Sequence, residues 1–205
     1  MNSGRTIGVA LGASLSVVAS VVVASAASGL NVGTYTRDPG ALAPSLPPFA
    51  GAVSILSAVS WGAVASLALF VAHSGTSNLR SPLRRLGILA LLLLADDALL
   101  IHEQIPSSFY YAEGAIFAFY ALLSASIAWS LRDHIRQGVG TAFVIGGIFL
   151  AGSVVVDPLL SGTSSPAYLL EDGLKLLGAF QWIAVPVLAW HTSIPANPDR
   201  ARISA

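Results

Sequence analysis

The stretch LLLLADDALLIHEQIP, Leu91 to Pro106, carries four ionisable residues in an otherwise apolar run: Asp96, Asp97, His102 and Glu103. Apolar runs of this kind are typical of membrane helices. Acidic side chains within a membrane are costly, so those that occur usually pair with one another or serve a function. The stretch therefore predicts a membrane helix with a polar site towards one end.

The composition of the whole chain agrees with this interpretation. Its 205 residues are 55% hydrophobic and only 10% charged, with a mean hydropathy of +0.76, whereas soluble domains carry about 25% charged residues. We expect a multi-pass protein of the cell membrane, with the lipid bilayer as its main partner. The net charge of zero indicates no nucleic-acid partner. The absence of Cys excludes disulfides, thiolate metal sites and Cys nucleophiles.

The fold that we predict is an all-α bundle of six transmembrane helices, forming one domain over residues 1–205. A membrane span needs about 20 mostly apolar residues. Six segments meet this length, and all but one of the connections between them are short. The predicted spans are 7–27, 49–72, 86–105, 109–131, 141–160 and 168–190.

The first span has a second interpretation as a cleaved signal peptide. Ala-Ser-Ala at 24–26 resembles a cleavage site. The apolar stretch before it, however, is longer than the usual about 7–15 residues of a signal peptide. We therefore expect a retained helix.

Basic residues predict the orientation, because Lys and Arg favour cytoplasmic loops. In a six-span arrangement eight of the ten fall on one side, which places both termini in the cytoplasm. These eight are Arg5, Arg80, Arg84, Arg85, Arg132, Arg136, Arg200 and Arg202. The loop 28–48, which contains Tyr35 and several Pro, then faces outside.

The acidic residues segregate towards the opposite, outer side. Seven of the ten lie in the outer half of a span or at its outer edge, namely Asp96, Asp97, Glu103, Glu113, Asp157, Glu171 and Asp172. Spans 3 and 6 run in opposite directions, so their acids reach similar depths. We predict one outward-facing polar pocket walled by spans 3 to 6.

The face of span 6 that meets this pocket is predicted by helical periodicity. Glu171, Lys175, Gly178 and Trp182 recur at i, i+4, i+7 and i+11, which is one side of a helix. Glu171 and Lys175 have the favourable order for an ion pair within a helix. Gly178 permits close approach of another helix.

Seven carboxylates against Lys175 and His102 cannot all be ionised and dry, because like charges and desolvation both favour the neutral acid. Protonation, water or a bound cation would relieve this. Carboxylates with one imidazole suit a divalent metal. The predicted ligands are His102, Glu103 and Glu171, followed by Asp96; Lys175, Asp172, Glu113 and Asp157 would support them.

Two motifs resemble a group of uncharacterised prokaryotic multi-pass membrane proteins. In that group, one helix reads LDE-x4-HE and a later helix reads LEE-x2-E-x2-G, whereas this chain has LADDALLIHE and LEDGLKLLG. The resemblance implies equivalent positions for Asp96, Asp97, His102, Glu103, Glu171 and Asp172. Lys175 departs from it by replacing an acid with a base, and could itself satisfy a carboxylate. A distant similarity to the alkaline ceramidase-like membrane hydrolases implies a zinc site, but here only His102 lies in the pocket.

Three functions follow from these patterns. The first is a metal-binding pocket, with metal-assisted hydrolysis of a lipid-like substrate as its natural chemistry and Asp96 or Asp97 as the base. The second is a structural or accessory subunit, in which Asp96 and Lys175 form an interhelical ion pair and loop 28–48 binds a protein partner. The third is a transporter or proton relay, which needs a polar path below Gln181, where the spans become almost wholly apolar.

Overall fold

The computed structural model describes residues 2–36, 47, 49–74, 78–99, 110–160 and 165–193. This part of the chain is all-helical apart from the turns between helices, as predicted, with no strand. The helices are α1 (Ser3–Ser28), α2 (Gly33–Thr36), α3 (Ala52–Ser74), α4 (Arg80–Leu99), α5 (Tyr110–Leu131), a 3-10 turn (Arg132–His134), α6 (Val139–Leu160) and α7 (Ser165–Ser193).

Five of the helices are long and apolar enough to cross a membrane: α1, α3, α5, α6 and α7. Helix α4 has 20 residues but is not among them. It has Arg84 and Arg85 near one end and Asp96 and Asp97 near the other, so its charges interrupt the apolar window. The described helices thus support a multi-pass membrane protein, with α4 as the exception in composition.

The arginines before predicted span 3 are not in a loop. Helix α4 begins at Arg80, six residues before the predicted start, and includes Arg84 and Arg85. Pro82 lies in its first turn, where the missing N–H of proline costs no helical hydrogen bond. The predicted span begins directly after the arginines. Long Arg side chains can extend to the aqueous interface, however, which allows the helix to continue past the apolar region.

Helix α7 is the centre of the bundle and packs against α1, α3 and α6. Close packing against α6 depends on two glycines that face each other. A Cβ at Gly178 would lie 2.6 Å from Leu150 Cγ, and one at Gly146 would lie 2.9 Å from the Gly178 carbonyl oxygen. The predicted role of Gly178 in close helix approach is therefore confirmed.

Trp182 fills the space that Gly146 leaves open. Its indole stacks on Phe143 with the ring centroids 4.8 Å apart, and its Nε1–H donates to the Phe143 carbonyl oxygen at 3.0 Å. Buried indoles need such an acceptor. The Trp182 ring also packs edge-on against Trp61 of α3, with 5.8 Å between the ring centroids.

Helix α2, in the segment between α1 and α3, packs against α3 and α7. Tyr35 is buried, stacks on Phe49 and shares a hydrogen bond with Ser28 at 3.0 Å. Its ring packs in a cluster with Val21, Val53 and Leu176. The suggested protein contact through loop 28–48 therefore cannot use the buried Tyr35 ring, and residues 37–46 of that loop lie outside the described ranges.

Candidate functional site

The polar cluster lies where the last turn of α4 meets α3, α5 and α7. We define it as Trp61, Asp96, Asp97, Tyr120, Asp172 and Lys175. Its centre is Asp97, which accepts a hydrogen bond from Trp61 Nε1 at 2.8 Å through Oδ2. Its other oxygen, Oδ1, lies 3.5 Å from Lys175 Nζ. One carboxylate thus joins three helices.

Lys175 has a second acidic neighbour on its own helix. The distance from its Nζ to Asp172 Oδ1 is 3.9 Å, one turn away. The side chains are 23% exposed for Lys175, 14% for Asp97 and 13% for Asp172. These groups are largely removed from solvent, and their charges therefore act on one another more strongly than surface charges do.

Asp96 faces a different neighbour from Asp97. Adjacent residues on a helix are 100° apart around the axis, so the two aspartate side chains point in different directions. Asp96 is only 4% exposed, and Tyr120 of α5 lies near both aspartates. The polar cluster therefore extends across the α4–α5 contact as well.

The contacts of Lys175 can be compared with the predicted ion pair between spans 3 and 6. Spans 3 and 6 approach each other through charged side chains, since Lys175 of α7 reaches Asp97 of α4, whereas α4 packs mainly against α3 and α5. The described ion pairs of Lys175 join it to Asp97 and Asp172, and the expected pairs with Asp96 and Glu171 stay predictions. Glu171 and Asp96 have further interactions of their own.

Several predicted site residues fall outside this description. His102 and Glu103 lie in the segment 100–109, which is outside the described residues. Glu113 belongs to α5 and Asp157 to α6, but their side chains are also outside the part of the chain that the structure describes. Within the described ranges no group of three His, Asp or Glu side chains forms a metal site. The predicted metal set thus has two described members, Asp96 and Glu171.

Trp61 is the member of the cluster that sequence reasoning missed. Its side chain is almost fully buried. A tryptophan in the middle of a span still has one N–H to satisfy, and an acid on a neighbouring helix is a suitable acceptor. That requirement was the available signal, although the sequence does not show which acid is within reach.

Deeper in the bundle, Gln181 joins α7 to α1. It is fully buried, its Nε2 donates to the Ile7 carbonyl oxygen at 3.2 Å, and its Oε1 has no hydrogen-bond partner. The residues around this level are apolar or aromatic, including Trp182, Val185 and Leu188. The polar cluster is thus separated from the opposite end of the bundle by an apolar layer.

Comparisons with known proteins place the chain in a family without assigning a reaction. No curated protein and no solved structure matches it, so the resemblance of its two motifs to other membrane proteins stays a prediction. A family model matches residues 9–189, which include every helix that meets the polar cluster. The chain belongs to the family described as Domain of unknown function (DUF8692).

Proposed function

We propose that this is a six-span protein of the cell membrane whose outer polar pocket binds a divalent cation. The observation that carries the proposal is the charge balance at the meeting of α4 and α7. Asp96, Asp97, Glu171 and Asp172 face one described cation, Lys175, which contacts two of them. Four carboxylates this close together, in a site that is largely removed from water, favour the binding of a cation.

The contacts suggest different roles for these carboxylates. Asp97 already has Lys175 and Trp61 as partners, which makes it a poor choice as a ligand or a base. We keep Asp96 and Glu171 as the proposed ligands, with His102 and Glu103 from the segment after α4 completing the set. If a lipid-like substrate is hydrolysed here, Asp96 is the better candidate of the two predicted bases, and the cation would supply an activated water.

Metal analysis of the purified protein at neutral pH tests the cation site. We expect about one equivalent of a divalent metal in the wild type and its loss in Asp96→Asn and Glu171→Gln. The matched control is Asp133→Asn, which removes an exposed acid paired with Arg132 at the other end of α5. A wild-type protein without stoichiometric metal would contradict the proposal.

A second candidate function is structural, and the Asp97 contacts favour it. An ion pair with an added indole hydrogen bond ties α3, α4 and α7 in one register. Polar residues that fix helix pairing are used in this way in other membrane proteins. On this proposal the protein is an accessory subunit, and its assembly with partners, but not its metal content, would depend on the pair.

The six-span topology with cytoplasmic termini is also a proposal. It is supported by the arginines that cluster at one end of the bundle, where α4 begins and α5 ends. The start of α1 belongs to this same end, because Ser3 packs against Gly138 in the turn before α6. Glycine is suited to that turn, where φ is +85°.

Because the chain has no Cys, single cysteines report the topology without background. We expect Gln137→Cys to react with an impermeant thiol reagent only from the cytoplasmic side. Asn31→Cys, in the exposed turn after α1, should react from the outside. Labelling of both from the same side would exclude the six-span arrangement.

A further inference from the structure

Arg85 forms a second polar contact between helices, at the opposite end of α4 from the polar cluster. Its Nη1 donates to Ser126 Oγ and its Nη2 to Ser130 Oγ, both at 2.7 Å. The two serines lie one turn apart on α5, and Ser130 in turn donates to the Ser126 carbonyl oxygen. The fork of the guanidinium thus bridges α4 and α5.

The charge of Arg85 has no counter-ion among the described residues. Its two acceptors are neutral hydroxyls, and its Nε is buried without any acceptor. The other described cations in ion pairs, Arg132 and Lys175, each contact an aspartate. A half-buried guanidinium normally has an anionic partner, because neutral acceptors recover only part of its lost hydration.

The surroundings of Arg85 match the headgroup level of a bilayer. Trp129, next to Ser130, is 70% exposed, and the Arg132 guanidinium lies over its ring, 4.2 Å from the centroid. At the same end of the bundle, Trp190 packs against Phe70. Exposed tryptophans of this kind mark the membrane–water interface, where lipid phosphates are found.

We propose that Arg85 binds the phosphate of an anionic phospholipid in the cytoplasmic leaflet, in the cleft between α4 and α5. The leaflet assignment rests on the proposed topology. Each Nη of a guanidinium carries two N–H groups, so one on each remains for a phosphate beside the serines, and basic sites between membrane helices on the cytoplasmic side bind anionic headgroups. Exposed apolar side chains of α5, such as Leu122, offer a surface for the acyl chain beside the headgroup.

The test compares lipid retention by the full-length protein in nanodiscs of phosphatidylcholine with and without phosphatidylglycerol. Native mass spectrometry counts phosphatidylglycerol molecules that stay bound. One basic residue near anionic lipid contributes about 1 kcal/mol, or about fivefold in binding. We expect at least about that loss in Arg85→Gln. The control Arg84→Gln removes the exposed neighbouring charge, which is screened by salt and water, and should lose less than Arg85→Gln.

A second variant keeps the test decisive if Arg85→Gln does not fold. Arg85→Lys retains the charge but not the planar fork, and it should also lose retained phosphatidylglycerol. Equal retention in Arg85→Lys and wild type, or equal losses in Arg84→Gln and Arg85→Gln, would overturn the proposal.

Inorganic phosphate added to pure phosphatidylcholine discs distinguishes binding of a free anion from binding of a lipid. If inorganic phosphate alone, without phosphatidylglycerol, fully stabilises the folded protein, a lipid is excluded as the ligand. Metal content should not change in any Arg85 variant, so this result is independent of the cation site.

Discussion

Removing the lysine of the polar cluster should destabilise the protein more than removing its main partner. Lys175→Met leaves both Asp97 and Asp172 without their described cation. Asp97→Asn leaves Lys175 beside Asp172, and the new amide oxygen can still accept the Trp61 N–H. The expected order of destabilisation is therefore Lys175→Met above Asp97→Asn.

The size of the coupling follows from the distance and the exposure of the two charges. At 3.5 Å an effective dielectric constant of about 20 corresponds to a Coulomb attraction of roughly 5 kcal/mol. Desolvation cancels much of this, and the lysine is 23% exposed. Exposed pairs contribute about 0–1 kcal/mol, while breaking a buried pair costs about 3–5 kcal/mol. We expect a coupling free energy of about 2 kcal/mol between Asp97 and Lys175.

A double-mutant cycle measures this coupling directly. The wild type, Lys175→Met, Asp97→Asn and the double variant are unfolded reversibly in a mild detergent, and tryptophan fluorescence follows the transition. A parallel cycle on the exposed pair Arg132 and Asp133, whose side chains are 49% and 78% exposed, is the control and should give under about 1 kcal/mol. If the Asp97–Lys175 coupling is no larger than the control value, the ion pair does not hold α4 against α7.

Three further predictions address other contacts of the bundle. Trp61→Phe should lower the free energy of unfolding by about 2 kcal/mol, because a carboxylate loses its N–H donor, and an unchanged melting curve would refute this. Gly146→Ala should destabilise by about 1–3 kcal/mol through overpacking against α7, whereas Gly147→Ala, which meets nothing within 4 Å, should be neutral or stabilising in the same assay. Lys175→Glu should raise divalent-metal retention above that of Lys175→Gln, since it adds a carboxylate to the pocket, and equal metal contents would count against a cation site.

The membrane character and the helical fold could be predicted from the sequence because both depend on local properties. Apolar length decides which segments can cross a bilayer, and charge asymmetry suggests their direction. Depth counting along antiparallel helices predicts that Leu91–Pro106 lies near Glu171–Lys175. The contact between α4 and α7 agrees with that depth matching.

The partner of each charge could not be predicted, because it depends on how the helices are rotated and where they cross. Asp96 and Asp97 are equivalent in a linear reading, yet only the 100° step between them decides which one faces Lys175. The same holds for Trp61, whose acceptor lies 36 positions later in the chain. Span ends were misjudged at Arg85 because snorkelling arginines let α4 continue past the apolar region.

The sequence by itself thus determined that this is a helical membrane protein with acids at one end of the bundle and arginines at the other. These features follow from hydropathy and charge, which each residue carries wherever it is placed. Only the tertiary structure decided that Asp97 receives both Lys175 and Trp61, and that Arg85 is held by two serines with no counter-ion in the part of the chain that the structure describes. Those pairings depend on side-chain directions across helix contacts, which arise only when the helices pack.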